Sequence, residues 1–341
     1  MSRDIFFDHN RTWLYQAVPV DTPYSVNIEP TSICNLKCKY CIHGSSRLNE
    51  VSPSRKNMGL DAYQTILEQL SEFPRRIKSL VLNGLGEPTI NPEFPAFLSA
   101  TKEAGIADRV EFFTNALLLS PKLSERIVSS GVDRLKISLQ GLNAGKYKEV
   151  AGVNADFDTL YENIKYYSQI RGKSQLYIKI INIGLRDEHD EEMFYRLFEP
   201  LADKVFVEHV MPWFNKQIDY SGMTVPGINK YNMNVSNREV CPIPFYRLYI
   251  SVTGDVSTCY PHVYPMGKPN CFETHLIDIW TGPVRQAFLQ EMLHKTYLAF
   301  DTCTACTLRC ENTFSEYDDL DAHRELVLKN LGRSKYESED H

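Results

Sequence analysis

The chain has 341 residues, with 37 Lys+Arg against 43 Asp+Glu and a formal net charge of −6. Its composition, 43% hydrophobic and 23% charged, is that of a globular protein long enough to bury a core without covalent staples, and it excludes disorder, collagen and coiled coil. No apolar run approaches the ~20 residues of a spanning helix, and no block of basic residues marks a nucleic-acid footprint.

Short β-branched runs alternate with amphipathic stretches along the first two thirds of the chain. Strands are expected near Ser25–Glu29, Ser79–Asn83, Val110–Asn115, Arg134–Leu139, Tyr177–Ile183 and Val205–Val210. Helices are expected at Leu60–Phe73, Pro92–Ala104, Pro121–Ser130, Asp156–Ile170 and Glu188–Leu201. This alternation argues for βα units on a parallel sheet. Six such units fit an open partial barrel or a doubly wound sheet, and the pattern alone does not choose. The alternation stops near Trp213, where a Gly/Pro/Asn-rich stretch, Asn215–Asn237, reads as a linker. Beyond it come short strands at Tyr246–Val252 and Val256–Cys259 and a helix around Val284–His294. A cysteine-dense loop, Thr302–Cys310, a helix at Asp318–Leu331 and a polar tail complete the chain.

Nine cysteines form an N-terminal group of three and a C-terminal group of six. An odd number, with no signal-peptide hydrophobic region ahead of it, favours metal or catalytic use over a disulfide framework. A reducing cytoplasm is the expected setting. Cys34, Cys38 and Cys41 follow the first strand with Cys-x3-Cys-x2-Cys spacing. Three thiolates on one short loop suit three corners of an iron–sulfur cube, which leaves the fourth iron open to a ligand. A zinc site is the plain alternative, but zinc ligands come in close pairs, and no histidine follows at finger spacing. Farther on, Cys241 and Cys259 stand at the two ends of an expected hairpin, and Cys303 and Cys306 form a second close pair. Two pairs suit a closed four-thiolate site for zinc or iron–sulfur, and the residues alone leave the metal open.

The three-cysteine loop, with Tyr40 just before its last cysteine, resembles the signature of the radical S-adenosylmethionine (SAM) superfamily. Further matches fall at successive strand ends, where parallel βα folds gather ligands. Gly84-Leu85-Gly86-Glu87-Pro88 resembles the family's Gly-Gly-Glu-Pro turn, with Leu85 inserted between the glycines. Thr114-Asn115 resembles its Thr-Asn-Gly, with Ala116 for Gly, and Ser138-Leu139-Gln140-Gly141 its Ser-Leu-Asp-Gly, with Gln140 for Asp. The resemblance implies a [4Fe–4S] cluster on Cys34, Cys38 and Cys41, with SAM on its open iron. Tyr40 would flank adenine. Glu87 and its neighbours Gly84, Gly86 and Pro88 would hold the amino group. Thr114, Asn115, Ser138 and Gln140 would line the ribose and carboxylate. The C-terminal cysteines resemble the SPASM/twitch extension. The shorter twitch form, with one auxiliary cluster on Cys241, Cys259, Cys303 and Cys306, fits better than the seven-cysteine form.

The expected architecture is thus an N-terminal extension over 1–21, a partial (βα)6 TIM-like barrel over 22–214 and a linker over 215–238. An auxiliary cluster domain over 239–316 and a C-terminal helix with polar tail over 317–341 follow. The expected activity is hydrogen-atom abstraction from a polar small molecule such as a sugar, an aminocyclitol or a nucleotide-linked sugar, giving dehydrogenation or epimerisation. The resemblance implies a flavodoxin- or ferredoxin-type electron donor. Glu208 or His209, at the end of the sixth strand, is a candidate general base, and Cys310 a candidate hydrogen donor. Cys271 reads as a buried small hydrophobe. The rivals are a maturase acting on a ribosomal peptide or protein side chain, and a zinc-binding protein without turnover.

Overall fold

The computed structural model describes residues 11–214, 216–235, 238–259, 264, 266–296, 301–304, 306 and 316–333. Eight strands form one sheet: β1 Ser25–Ile28, β2 Ser79–Leu82, β3 Val110–Thr114, β4 Arg134–Leu139, β5 Gln175–Ile181, β6 Lys204–Glu208, β7 Arg247–Ile250 and β8 Val256–Ser257. Their spatial order is β6-β5-β4-β3-β2-β1-β7-β8. The pairs from β1 to β6 are all parallel, as an open βα barrel requires. The later hairpin joins the same sheet. β7 runs parallel to β1 with Ser25 opposite Arg247 and Ile28 opposite Ile250, and β8 returns antiparallel. Gly254, at φ +86, makes the turn between them.

Helices Leu60–Ser71, Phe94–Ala104, Pro121–Ser129, Phe157–Ile170 and Glu188–Phe198 fall where the apolar spacing places them. Their starts are chemically marked. Ser120 accepts from Leu123 N, Asp156 from Thr159 N and Asp187 from Asp190 N, each satisfying a donor the first turn leaves orphaned. A sixth helix, Ala144–Ala151, capped by Asn143, escapes the periodicity because it is short. The fifth strand begins two residues earlier than expected and gives way to a 3-10 turn, Asn182–Gly184. The C-terminal helix is Arg324–Arg333, shorter than its expected span.

The main core lies between the outward faces of the strands and these helices, with Val26, Leu80, Phe112, Leu135 and Ile178 at its centre. Cys271 packs within it at 2% exposure. A second core joins Leu14 and Val18 near the N-terminus to Phe245, helix Pro283–His294 and helix Arg324–Arg333. No helix among the described residues is long and apolar enough to cross a membrane.

Candidate functional site

The inward faces of the strands are polar, which inverts the usual barrel interior of branched apolar residues. β4 alternates Arg134, Lys136 and Ser138 toward the axis with Leu135, Ile137 and Leu139 toward the helices. The result is a cavity of about 660 Å³ that runs from Ser25 and Arg109 at one end to the three-cysteine loop at the other. That volume falls in the range of small-molecule sites, roughly 300–1,000 Å³.

At the upper end, the cysteine loop is held by main-chain bonds. Lys37 N donates to Ala151 O and Lys39 N to Val150 O, both 2.9 Å. Helix Ala144–Ala151 thereby places the loop with carbonyls its own C-terminus leaves unsatisfied. Gly44 closes the loop so tightly that a Cβ there would lie 2.3 Å from Cys38 O. Burial raises the thiols, that of Cys34 to about 12. Cys34 and Cys41 add to the rise at Cys38, and all three line one cavity. The Tyr40 hydroxyl donates to Gln140 Oε1 at 2.6 Å and ties the loop to β4.

The turn after β2 is locked from below. Glu29, fully buried at the end of β1, accepts from Leu85 N at 2.7 Å and Val252 N at 3.1 Å. A Cβ on Gly84 would meet the Glu29 side chain at 2.4 Å, and one on Gly86 would meet Thr31 O at 2.1 Å. Neither glycine has a positive φ, so close approach is what requires them. Glu87 uses its carboxylate internally. It accepts from Thr89 N and Oγ1, from Thr114 Oγ1 at 2.7 Å and from Asn115 N at 2.7 Å. Asn115 donates onward to Asn35 Oδ1 at 2.7 Å, beside Cys34. Ala116, where the family has glycine, takes φ +61.

Tyr40, Gly84, Gly86, Glu87, Pro88, Thr114, Asn115, Ser138, Gln140 and Glu208 all line this one cavity with Cys34, Cys38 and Cys41. His209 does not. It follows Glu208 on the opposite face, its N–H donating to Lys230 O at 2.8 Å. Glu208 pairs with Lys179. Burial pushes its carboxyl up, but Lys179, Lys230 and Lys136 more than offset this and hold it below the usual range. Lys136 and Lys179 line the same cavity; the strand pattern groups them on one face without saying that this face turns inward. His43 also faces the cavity, with Nε2 lacking a hydrogen-bond partner among the described residues. Glu29 and His43 carry no sequence signal beyond their nearness to the motifs.

A second cysteine group lies apart from the cavity. Cys241, Cys259 and Cys306 pack around Ile243. The Cys241 thiol is raised by burial and then by Cys259, Cys306 and Cys303; Cys303 packs on the neighbouring core with Cys241. Within the described residues no group of three or more His, Cys, Asp or Glu side chains is already closed to metal-holding distances. A soft four-thiol set and an open three-thiol set are nonetheless the donors that iron–sulfur clusters take. Cys310 and the Tyr260–His262 segment lie outside the described residues.

Family models match on both sides of the chain. The radical SAM superfamily model covers residues 28–197, and the SPASM iron–sulfur cluster-binding domain covers 241–307. The chain belongs to the radical SAM superfamily, in the subgroup with a SPASM-type cluster domain. It is an enzyme of that class, and its cofactors are SAM, a [4Fe–4S] cluster and auxiliary iron–sulfur binding. It is 24% identical over 333 residues to the tungsten-containing aldehyde ferredoxin oxidoreductase cofactor-modifying protein of Pyrococcus furiosus, covering 86% of this chain and 90% of that protein. It is also 24% identical over 163 residues to the dTDP-4-amino-4,6-dideoxy-D-glucose ammonia-lyase of Streptomyces venezuelae, covering 48% of this chain and 32% of that one. Among solved structures, BtrN in complex with AdoMet and 2-DOIA superposes with a TM-score of 0.54 at 18% identity, covering 86% of this chain and 97% of that one. Streptococcus suis SuiB bound to S-adenosylmethionine gives 0.61 at 18% identity, covering 88% and 75%. These likenesses establish the fold.

Proposed function

We propose that this enzyme dehydrogenates a polar small molecule such as a sugar, an aminocyclitol or a nucleotide-linked sugar. The observation that carries the reading is the cavity of about 660 Å³, which begins at the three-cysteine loop and is lined by polar and aromatic side chains from every strand of the barrel. Cys34, Cys38 and Cys41 would hold the radical-generating cluster, and Cys241, Cys259, Cys303 and Cys306 the auxiliary one. When bound, the reduced cluster and SAM supply methionine and a 5′-deoxyadenosyl radical, which takes a hydrogen atom from the substrate. Dehydrogenation then requires loss of one proton and one electron from the substrate. Glu208, ionised and facing the cavity, accepts the proton. A cluster held by Cys241, Cys259, Cys303 and Cys306 would supply an acceptor for that electron, and a flavodoxin- or ferredoxin-type donor would supply the starting one. Glu87 takes three of its four protein hydrogen bonds on Oε1 and one on Oε2, so Glu87 Oε2 together with the turn's main chain would receive the SAM amino group. Tyr40 and Gln140, linked to each other, would border the adenine.

Two observations support a small molecule over a peptide. The relative that spans most of both chains is named for modifying a cofactor, and the cavity has small-molecule dimensions. Epimerisation would instead need a hydrogen-donating thiol, for which Cys310 and Cys271 are the candidates. The test is anaerobic turnover of the reconstituted protein against a panel of sugars, aminocyclitols and nucleotide-linked sugars. A product two hydrogens lighter than its substrate, with one 5′-deoxyadenosine per turnover, is expected. A product of unchanged mass with inverted stereochemistry, lost in Cys310→Ser, would make it an epimerase. Turnover of peptides alone would overturn the reading.

A further inference from the structure

The 3-10 turn Ile42–Gly44 follows Cys41 directly and is tightly held. Gly44 N donates to Cys41 O at 2.9 Å and Ser45 N to Ile42 O at 3.0 Å, while the Ile42 side chain is wholly buried. The main-chain N–H groups of Ile42 and His43 act on the Cys41 thiol and partly offset the rise that burial gives it. His43, the middle residue of this turn, therefore has a fixed place beside the cysteine loop. It is 8% exposed, and it lines the cavity together with Cys34, Cys38 and Cys41 and with the turn from Gly84 to Pro88.

The imidazole reaches from the loop to that turn, where the main-chain carbonyl of Leu85 accepts from the ring. Nε2 is shut off from water and has no hydrogen-bond partner among the described residues, so the bond to Leu85 falls to Nδ1. A neutral imidazole that donates from Nδ1 carries a lone pair on Nε2. A buried acceptor without a donor is costly, and an atom left so in a folded protein points to a group still to be bound. That group must be a donor. Cluster sulfides and the SAM carboxylate are themselves acceptors and do not answer. The SAM amino group does, and the turn that His43 touches, with Glu87 Oε2, is where the residues above receive it.

We propose that His43 is a further SAM-binding residue, whose Nε2 accepts from the SAM amino group and shares it with Glu87 Oε2. The methionyl head is thereby gripped between two elements, the cysteine loop and the turn after β2, and two acceptors on different elements fix its orientation as well as its place. This rests on the site reading above and is independent of the substrate.

The test is equilibrium binding to the reconstituted full-length enzyme without reductant, so that no SAM is consumed. The probes are SAM, S-adenosylhomocysteine and 5′-methylthioadenosine, the last of which lacks the amino-acid head. His43→Leu is expected to weaken SAM and S-adenosylhomocysteine about tenfold and 5′-methylthioadenosine less than about twofold. His43→Gln, whose amide oxygen can take the place of Nε2 as acceptor, is expected to regain most of the loss. Iron is counted on each variant, and His43→Phe, which keeps an apolar ring, decides the matter if His43→Leu fails to retain it. Equal weakening of all three probes would make the ring merely structural and overturn the proposal. So would unchanged SAM affinity, or a glutamine variant no better than the leucine one. The site reading is checked separately by replacing Cys34, Cys38 and Cys41 with alanine. SAM binding that survives that change overturns the site reading itself; binding lost there but unaffected in His43→Leu overturns this inference alone.

Discussion

Glu87, buried, and Glu208, half-buried, are carboxylates lining one cavity, and their surroundings give them opposite uses. Burial raises Glu87, its four protein donors offset this only in part, and among the described residues no ion pair reaches it. It is a clamp between the turns after β2 and β3. Glu87→Gln sets an amide N–H₂ against groups that are already donors. It is expected to cost about 1–3 kcal/mol in urea unfolding, and to weaken SAM binding with it. Glu208 is surrounded by lysines and stays ionised below the ordinary carboxylate range. Glu208→Gln is expected to lower kcat/KM by about 10²–10⁴, whereas His209→Gln, on the other face, changes it less than about threefold. The sign of the pH effect follows from the depressed pKa. The base function, and the stability this carboxylate contributes above its unfolded pKa, are retained at neutral pH and lost as pH falls through the folded value. An acid limb near pH 6–7 in kcat/KM would assign the base elsewhere.

The turns and caps carry the predictions that belong to single elements. A methyl on Gly86 would sit 2.1 Å from Thr31 O, a main-chain atom that cannot rotate away. Gly86→Ala is therefore expected to destabilise by about 1–3 kcal/mol and to abolish SAM binding, measured by urea melts and equilibrium dialysis. Asp190 is a buried carboxylate at the start of helix Glu188–Phe198, paired with Arg186, whose guanidinium holds it down to about 2. The Arg186 side chain is 57% exposed, so solvent screening keeps the pair's contribution small. The stability gap between wild type and Asp190→Asn is expected to be full above pH 4 and to narrow as pH falls toward 2. At this scale much was legible. Asp156, which caps its helix by accepting from Thr159 N, marks a helix start in the sequence, and strands β1 to β4 fall within a residue of their expected bounds. Helix Ala144–Ala151 was not, because two turns carry too little periodicity, yet its carbonyls hold the cysteine loop. The charged interior was missed for a different reason. Alternation fixes which residues share a face but not which face turns inward.

Across the whole molecule, the two cysteine sites are joined through one sheet. β7 sits on β1, so Glu29 touches both the turn after β2 and the hairpin that follows Cys241. The spacing of Cys241 and Cys259 made the hairpin legible, but a parallel pairing 222 residues apart in sequence, Ser25 with Arg247, leaves no local trace. Arg285 completes the joint. Its guanidinium stacks on Trp280 at 3.4 Å and donates to the carbonyls of Trp280, Pro244 and Phe245, fixing the chain just beyond Cys241. Arg285→Met leaves those buried carbonyls without their donor and is expected to cost about 3–5 kcal/mol. The auxiliary iron would be lost before the iron of the Cys34 loop.

The most direct measurement is iron and turnover on the same preparation. The protein is reconstituted anaerobically, iron, sulfide and zinc are counted per chain, and 5′-deoxyadenosine is assayed after dithionite and SAM. The account predicts about eight irons per chain, falling to about four when Cys34, Cys38 and Cys41 are replaced by alanine, with deoxyadenosine formed by the wild type alone. Zinc in both sites and no cleavage of SAM would contradict it.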